Sequence, residues 1–159
     1  MKANHFTPDV QEFLSLLHKY NVKYLIIGGE AVIYYGNVRV TGDIDFYYKN
    51  DTENTNALYS ALLQFWDGDI PGINERKDLC QSKYMIQFGI PPNRIDLLND
   101  IEGVSFDEAW QAKVREDIQI KEENIPVYFI GLSHLIINKE KAGRNKDLED
   151  LKYLRRLKG

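Results

Sequence analysis

One cysteine, Cys80, in 159 residues leaves the chain no internal disulfide. A lone thiol suits a reducing compartment, so the expectation is a cytoplasmic protein. No uninterrupted stretch approaches about 18 apolar residues, the length a membrane-spanning helix needs, and the opening segment MKANHFTPDVQEF has no apolar h-region. The three histidines and the cysteine show no ligand spacing of the kind zinc requires. There is no G-x-G-x-x-G, and no Walker lysine follows the paired glycines, so the dinucleotide-fold and P-loop readings are weak. Internal repeats, low-complexity tracts and flexible linkers are absent too.

A hydrophobic content of 43% fits one compact domain, residues 1–159, with a sheet-containing core over 1–130 and C-terminal helices over 131–159. The charge is unevenly spread. Residues 1–138 hold twelve basic and twenty acidic side chains, net −8; residues 139–159 hold eight and four, net +4. An acidic body argues against broad nonspecific duplex binding and leaves room for a local basic patch that meets phosphates.

The first helix is TPDVQEFLSLLHKYN, with Thr7 placed to cap, Pro8 in the first turn and Val10, Phe13, Leu14 and Leu17 at helical spacing. KYLIIGG predicts a short buried strand stopped by Gly28 and Gly29, and EAVIYYG two helical turns ending at Gly36. DIDFYY is a strand, NTNALYSALLQFW a helix, PGINERKDL a loop or irregular edge, and KYMIQFG and NRIDLL two strands joined by the turn GIPPN. SFDEAWQAK carries a capping-box pattern, Ser105 and Glu108. DIQIKEENIPVYFI predicts a hairpin, or two short strands, around Glu123–Asn124. The tail predicts two helices, with Leu148, Leu151 and Leu154 marking the buried face of the second. This order predicts a mixed, twisted α/β (α+β) sheet flanked by helices, with a C-terminal helical pair.

The candidate chemistry starts at DIDF. Side chains alternate faces along a strand, so Asp43 and Asp45 point one way and Ile44 and Phe46 the other. Residues i and i+2 lie roughly 6.5–7 Å apart along the chain, close enough for both carboxylates to converge on one hard cation or bridge two. Two like charges on one face repel, so a positive group is expected between them; the alternative is two solvated acids. Asp96, bracketed by Ile95 and Leu97 in a core-like strand, needs a partner because burying an unpaired carboxylate costs several kcal/mol. A metal site on the adjacent strand would supply one, and so would Arg94 or the basic tail.

Gly28 and Gly29 place bare N–H groups where a strand enters a helix, a setting that either binds an anion or makes a tight turn. Arg39 would neutralise a triphosphate and Thr41 hydrogen-bond it, unless Arg39 is an ordinary loop arginine. Lys139, Lys141, Arg144 and Lys146 cluster at the last helix; Lys139 and Arg144 are favoured to close over a nucleotide, against the reading of a solvated surface. Tyr34, Tyr35, Tyr47 and Tyr48 either stack on a base or belong to the core.

Together, IIGGEAVIYYGNVRVTGDIDFYY and RIDLL resemble the DNA polymerase beta-type nucleotidyltransferase superfamily, whose signature is a strand ending in Gly-Gly or Gly-Ser, a short helix, D-x-D on the next strand and a third Asp on a later one. The R-x-T-x-D-I-D spelling and the tail KEKAGRNKDLEDLKYL most resemble the minimal bacterial and archaeal nucleotidyltransferases of toxin–antitoxin and abortive-infection systems. Length and order are also similar to the small lincosamide nucleotidyltransferases. The resemblance covers roughly residues 8–157.

It implies a nucleotidyltransferase in which Gly28 and Gly29 hold an NTP's triphosphate and Asp43 and Asp45 carry Mg²⁺ or Mn²⁺. Asp96 would complete the metal site or accept the attacking hydroxyl's proton. The implied partners are an NTP, an acceptor hydroxyl on a protein, an RNA end or a small molecule, and a cognate toxin or antitoxin. Many relatives carry Ser where this chain has Gly29, so contact there falls to the backbone. A catalytically silent, antitoxin-like or partner-binding module on the same fold is the alternative.

Overall fold

Local chemistry accounts for most of the elements in the computed structural model, which describes residues 1–158. In α1 (Pro8–Lys19) the Thr7 side chain accepts the Val10 N–H, and the inward stripe Val10, Phe13, Leu14, Leu16 and Leu17 is buried. The fully buried strand β1 (Tyr24–Ile27) runs directly into α2 (Gly28–Tyr34), so the two glycines form the first turn of a helix rather than the end of a strand. Then come β2 (Asp43–Tyr48) and α3 (Thr52–Phe65), the latter capped by Asp51 accepting the Asn54 N–H. Within the expected loop lies a 3-10 turn, Arg76–Cys80. Strands β3 (Met85–Phe88) and β4 (Arg94–Leu98) follow, then α4 (Phe106–Gln111), β5 (Val114–Ile120), β6 (Glu123–Phe129), α5 (Leu132–Ala142) and α6 (Asn145–Lys158).

Two local expectations are corrected. Ser105 precedes α4 but its side chain makes no capping bond, so the Ser105–Glu108 box does not form. The β5–β6 hairpin turns at Lys121 and Glu122, two residues before the expected pair, with φ of 50° and 68°. Positive φ at both central residues matches the twist of the strands they join.

The six strands form one mixed sheet in the order β3-β4-β2-β1-β6-β5. β1 is antiparallel to β2 and parallel to β6, and β2 is parallel to β4. The edge strands β3 and β5 pair antiparallel with β4 and β6. One face packs on α1 and α3 through Phe13, Leu17, Ile44, Phe46, Leu58, Leu62, Ile95 and Leu97. The other packs on α2 and the C-terminal helices through Leu25, Ile27, Ala31, Tyr47, Leu135, Ile136, Leu151 and Leu154. Flanked by helices on both faces, the sheet is the mixed α/β architecture expected.

The four tyrosines belong to this framework. Tyr34 stacks on Phe129, while Tyr35, Tyr47 and Tyr48 donate to the carbonyls of Ile130, Val104 and Leu79. In α6 the buried stripe is Asp147, Asp150, Leu151 and Leu154, and Leu148 is 49% exposed, against its expected burial. The stripe has helical i, i+3, i+4, i+7 spacing, but two of its members are acids.

Leu151→Ala should therefore lower stability by about 2–5 kcal/mol, whereas Leu148→Ala should stay within about 0.5 kcal/mol of the wild type. Denaturant unfolding of the two variants tests this, and equal losses would contradict the orientation of α6.

Candidate active site

Strand register, more than sequence proximity, assembles the site. In the parallel β2–β4 pair Asp43 lies opposite Arg94, and Asp45 opposite Asp96. Registered neighbours share a face, as do residues two apart along a strand. Asp43, Asp45, Arg94 and Asp96 therefore all project on the face away from Ile44, Phe46, Ile95 and Leu97. From β3, Gln87 lies opposite Asp96 and donates to its Oδ2 at 3.3 Å. One oxygen from each of Asp43, Asp45 and Asp96 lies within 4.8 Å of the others.

The positive group expected between Asp43 and Asp45 is Arg94, which lies instead between Asp43 and Asp96. Its Nη2 donates to Asp43 Oδ2, and its Nε and Nη2 donate to Asp96 Oδ1 and Oδ2 at 2.9 and 3.1 Å. This fork lets Asp96 sit 2% exposed. Thr41 donates its hydroxyl to Asp43 Oδ1 at 3.0 Å. Asp45 fares differently. Burial first, then the charge of Asp43 and its contact with Asp96, push its carboxyl up to about 8, and Lys146 only partly offsets this.

Gly28 and Gly29 sit beside these acids. Gly28 is left-handed, φ +65°, and a Cβ there would overlap Asp45 Oδ2. A Cβ on Gly29 would stand 2.9 Å from Thr41 Oγ1. Gly28 demands glycine through both its φ and the Asp45 carboxylate, and Gly29 leaves room for the Thr41 side chain against the backbone.

Across a cavity of about 560 Å³ lies the C-terminal pair. All nine residues singled out from sequence line this cavity: Gly28, Gly29, Arg39, Thr41, Asp43, Asp45, Asp96, Lys139 and Arg144. Sequence reasoning passed over Gln87, named Lys146 in the basic cluster without favouring it, and weighed Arg94 only as a rival partner for Asp96; all three line it too. Arg94 was detectable by parity, two residues before Asp96 on the same face. Nothing in the sequence marked Gln87, whose place depends on the β3–β4 register.

The basic wall is not the loose clamp expected from the tail. Lys139 is 3% exposed, its Nζ 3.0 Å from Asp147 Oδ1 and 3.1 Å from Asp150 Oδ2. Arg39 Nη1 donates to both oxygens of Asp150, at 2.6 and 2.7 Å. Arg144 bonds Asp147 while its side chain stays 61% exposed. Burial alone pushes the Asp147 carboxyl up, but hydrogen bonds from Arg144 and Lys139 outweigh it and hold the group below the usual carboxylate range. Lys139 thus lines the cavity as the buried hub of an ion network, paired with Asp147 and Asp150. Arg39 is tethered, neither a free loop arginine nor free to wander. Glu30, at the start of α2, is 2.8 Å from His5 Nε2.

Three hard oxygen donors facing one point, already attracting a guanidinium as a stand-in cation, fit a divalent ion of the Mg²⁺ or Mn²⁺ type. An acid cluster on two adjacent inner strands, facing basic helices across a nucleotide-sized cavity, defines a nucleotidyltransferase-like class. The chain belongs to the family described as nucleotidyltransferase of unknown function (DUF6036), whose model matches residues 7–155. Its fold is shared by a Thermotoga maritima chain described as a "putative nucleotidyltransferase", at a TM-score of 0.56 and 14% identity, over 98% of this chain and 96% of that one. No curated protein matches it.

Two outcomes follow from the electrostatics. With Asp45 titrating near 8 when folded and near 3.8 when unfolded, the native state holds the extra proton between those values. Stability without divalent ions should then fall as pH rises through that window, by at most about 1.4 kcal/mol per unit, and level off above 8. Asp45→Asn should remove this slope and be the more stable protein at pH 9 in EDTA, as thermal melts across pH will show. Lys139→Ala removes the buried cation that Asp147 and Asp150 share, leaving Asp147 to Arg144 and Asp150 to Arg39, and should cost on the order of 3 kcal/mol in chemical unfolding, more than the exposed Arg144→Ala.

Proposed function

We propose that the chain is a single-domain, cytoplasmic enzyme that transfers a nucleoside monophosphate from an NTP to an acceptor hydroxyl, dependent on Mg²⁺ or Mn²⁺. The observation that carries this reading is the cavity whose one wall is the Asp43, Asp45 and Asp96 cluster and whose other is Arg39, Arg144 and Lys146. Acids suited to a metal and cations suited to phosphates then face one bound metal–triphosphate.

In this reading Asp43, Asp45 and Asp96 hold the ion. When bound, it supplies charge neutralisation and lowers the pKa of a coordinated hydroxyl. The chain's own groups do the rest. Arg39, Arg144 and Lys146 offset the triphosphate charge, and the main chain at Gly28 and Gly29 lets phosphate approach closely. Asp150 and Lys139 act one step removed by fixing Arg39 in the wall. Asp96 accepts the proton of the attacking hydroxyl, the new bond forms at the α-phosphorus, and pyrophosphate carries away the electron pair of the broken P–O bond. Positioning and charge neutralisation supply most of the catalysis.

The net charge of −8 over residues 1–138 favours a small or protein acceptor over long RNA, while the basic tail keeps tRNA ends among the acceptors. One observation favours a silent, partner-binding module related to toxin–antitoxin pairs. Val38 and Val40 are 97% and 95% exposed on the same segment as Arg39 and Thr41. Exposed apolar side chains beside a cavity suit a protein partner.

Incubation with each α-labelled NTP and Mg²⁺, against cell RNA, cell protein and aminoglycoside and lincosamide panels, tests the proposal. Label transfer is expected from the wild type and should drop at least about a hundredfold in folded Asp43→Asn and Asp96→Asn. Transfer unchanged in both variants would remove the metal site from the chemistry. No transfer from any NTP, together with a stoichiometric protein partner, would favour the silent module.

A further inference from the structure

We infer that Arg94 is the resident counter-ion of the three-carboxylate site, and that its guanidinium must leave Asp43 and Asp96 for a divalent cation to enter, so that cation and nucleotide bind as a coupled pair. This rests on the metal reading proposed above and assigns a role to a residue outside that reading.

The argument begins with lone pairs. Arg94 engages both oxygens of Asp96, at 2.9 and 3.1 Å, and Oδ2 of Asp43. Gln87 adds a second donor to Asp96 Oδ2 at 3.3 Å, and Thr41 occupies Asp43 Oδ1 at 3.0 Å. The inward oxygens of two of the three acids are thus already satisfied, and by a unit positive charge. A divalent ion needs carboxylate oxygens at roughly 2.0–2.1 Å and tolerates no guanidinium on the same lone pairs. Charge and space both make the two cations exclusive.

The arginine has somewhere to go. Its side chain is 28% exposed and it lines the cavity that would take the triphosphate. An ion arriving alone must displace a set of charge-assisted hydrogen bonds and leave Arg94 with water. An ion arriving with a triphosphate offers the displaced guanidinium a bidentate anionic partner in the same cavity. Register makes the arrangement hard to avoid. Pairing Asp43 with Arg94 across β2–β4 puts the arginine on the acids' own face, two residues from Asp96.

A brace that merely holds the carboxylates in place predicts the opposite sign: its loss should loosen the site and weaken metal binding. Mn²⁺ affinity of the wild type and of Arg94→Gln, measured by electron paramagnetic resonance with and without a non-hydrolysable NTP analogue, separates the two. Without nucleotide, Arg94→Gln is expected to bind Mn²⁺ at least about tenfold more tightly than the wild type, the scale of one lost charge-assisted competitor. The gain in Mn²⁺ affinity that the analogue gives the wild type should shrink by a comparable factor in the variant. Equal or weaker nucleotide-free affinity in Arg94→Gln overturns the inference and leaves the metal reading standing. Absence of Mn²⁺ uptake by the wild type even with the analogue overturns both.

Should Arg94→Gln not fold, Arg94→Lys keeps the charge, loses the fork and is expected to tighten nucleotide-free Mn²⁺ binding by a smaller factor. The ¹⁵N side-chain resonance of Arg94 in the wild type gives a reading independent of any variant. It should move on saturation with Mg²⁺ and the analogue, and a resonance that stays in place at saturation would sink the inference.

Discussion

Like charges forced onto one face of a sheet dominate this molecule. Asp43, Asp45 and Asp96 converge because β2 and β4 run parallel in a register that leaves them no other direction. Repulsion and partial burial would together make such a cluster untenable without compensation. Two responses are visible. Arg94 is drawn between Asp43 and Asp96, and Asp45 holds its proton to about pH 8. With Arg94 between two of its acids and a proton on the third, the cluster is still short of positive charge, the electrostatic condition of a site that could hold a metal.

The opposite wall solves the mirror-image problem. Arg39, Lys139 and Arg144 total +3, and the Asp147 and Asp150 they pair with total −2, which leaves +1. Burying those acids inside the α5–α6 pair fixes the cations, at the cost of making one of them, Lys139, unavailable as a free ligand. A preorganised wall of this kind needs little rearrangement to meet an anion. The αL glycine at the end of α5, Gly143 with φ +63°, turns the chain so that Lys139 of α5 can meet Asp147 and Asp150 of α6 across the helix junction.

Fold and site share one physical rule, strand alternation. The residues that pack on α1 and α3, Ile44, Phe46, Ile95 and Leu97, are those that alternate with Asp43, Asp45, Arg94 and Asp96. A one-residue slip of β4 would bury Arg94 and Asp96 under α1 and α3 and dissolve the site, so core packing enforces the active-site register. The cost of a wrong register falls on the hydrophobic core, which is why polar chemistry can be held so tightly at its edge.

Local signals sufficed for much of this. Alternation in DIDF told which way the aspartates point, the Thr7–Pro8 start and apolar stripe made α1 certain, and the spacing of the glycine pair, D-x-D and third Asp pointed to the cavity's residues before any contact was known. Each of those signals is carried by neighbours in the chain, within reach of a strand's period of two or a helix's 3.6. Register and burial are not. Whether Arg94 would reach Asp43 as well as Asp96, whether Lys139 would face a ligand or the interior, and whether Leu148 or Asp147 would be the buried face of α6 depended on residues 8 to 111 positions away. In α6 the sequence alone favoured leucines, because apolar groups are the usual interior. The tertiary structure put two acids there, because Lys139 and Arg39 arrive from other segments to join Arg144 in neutralising them.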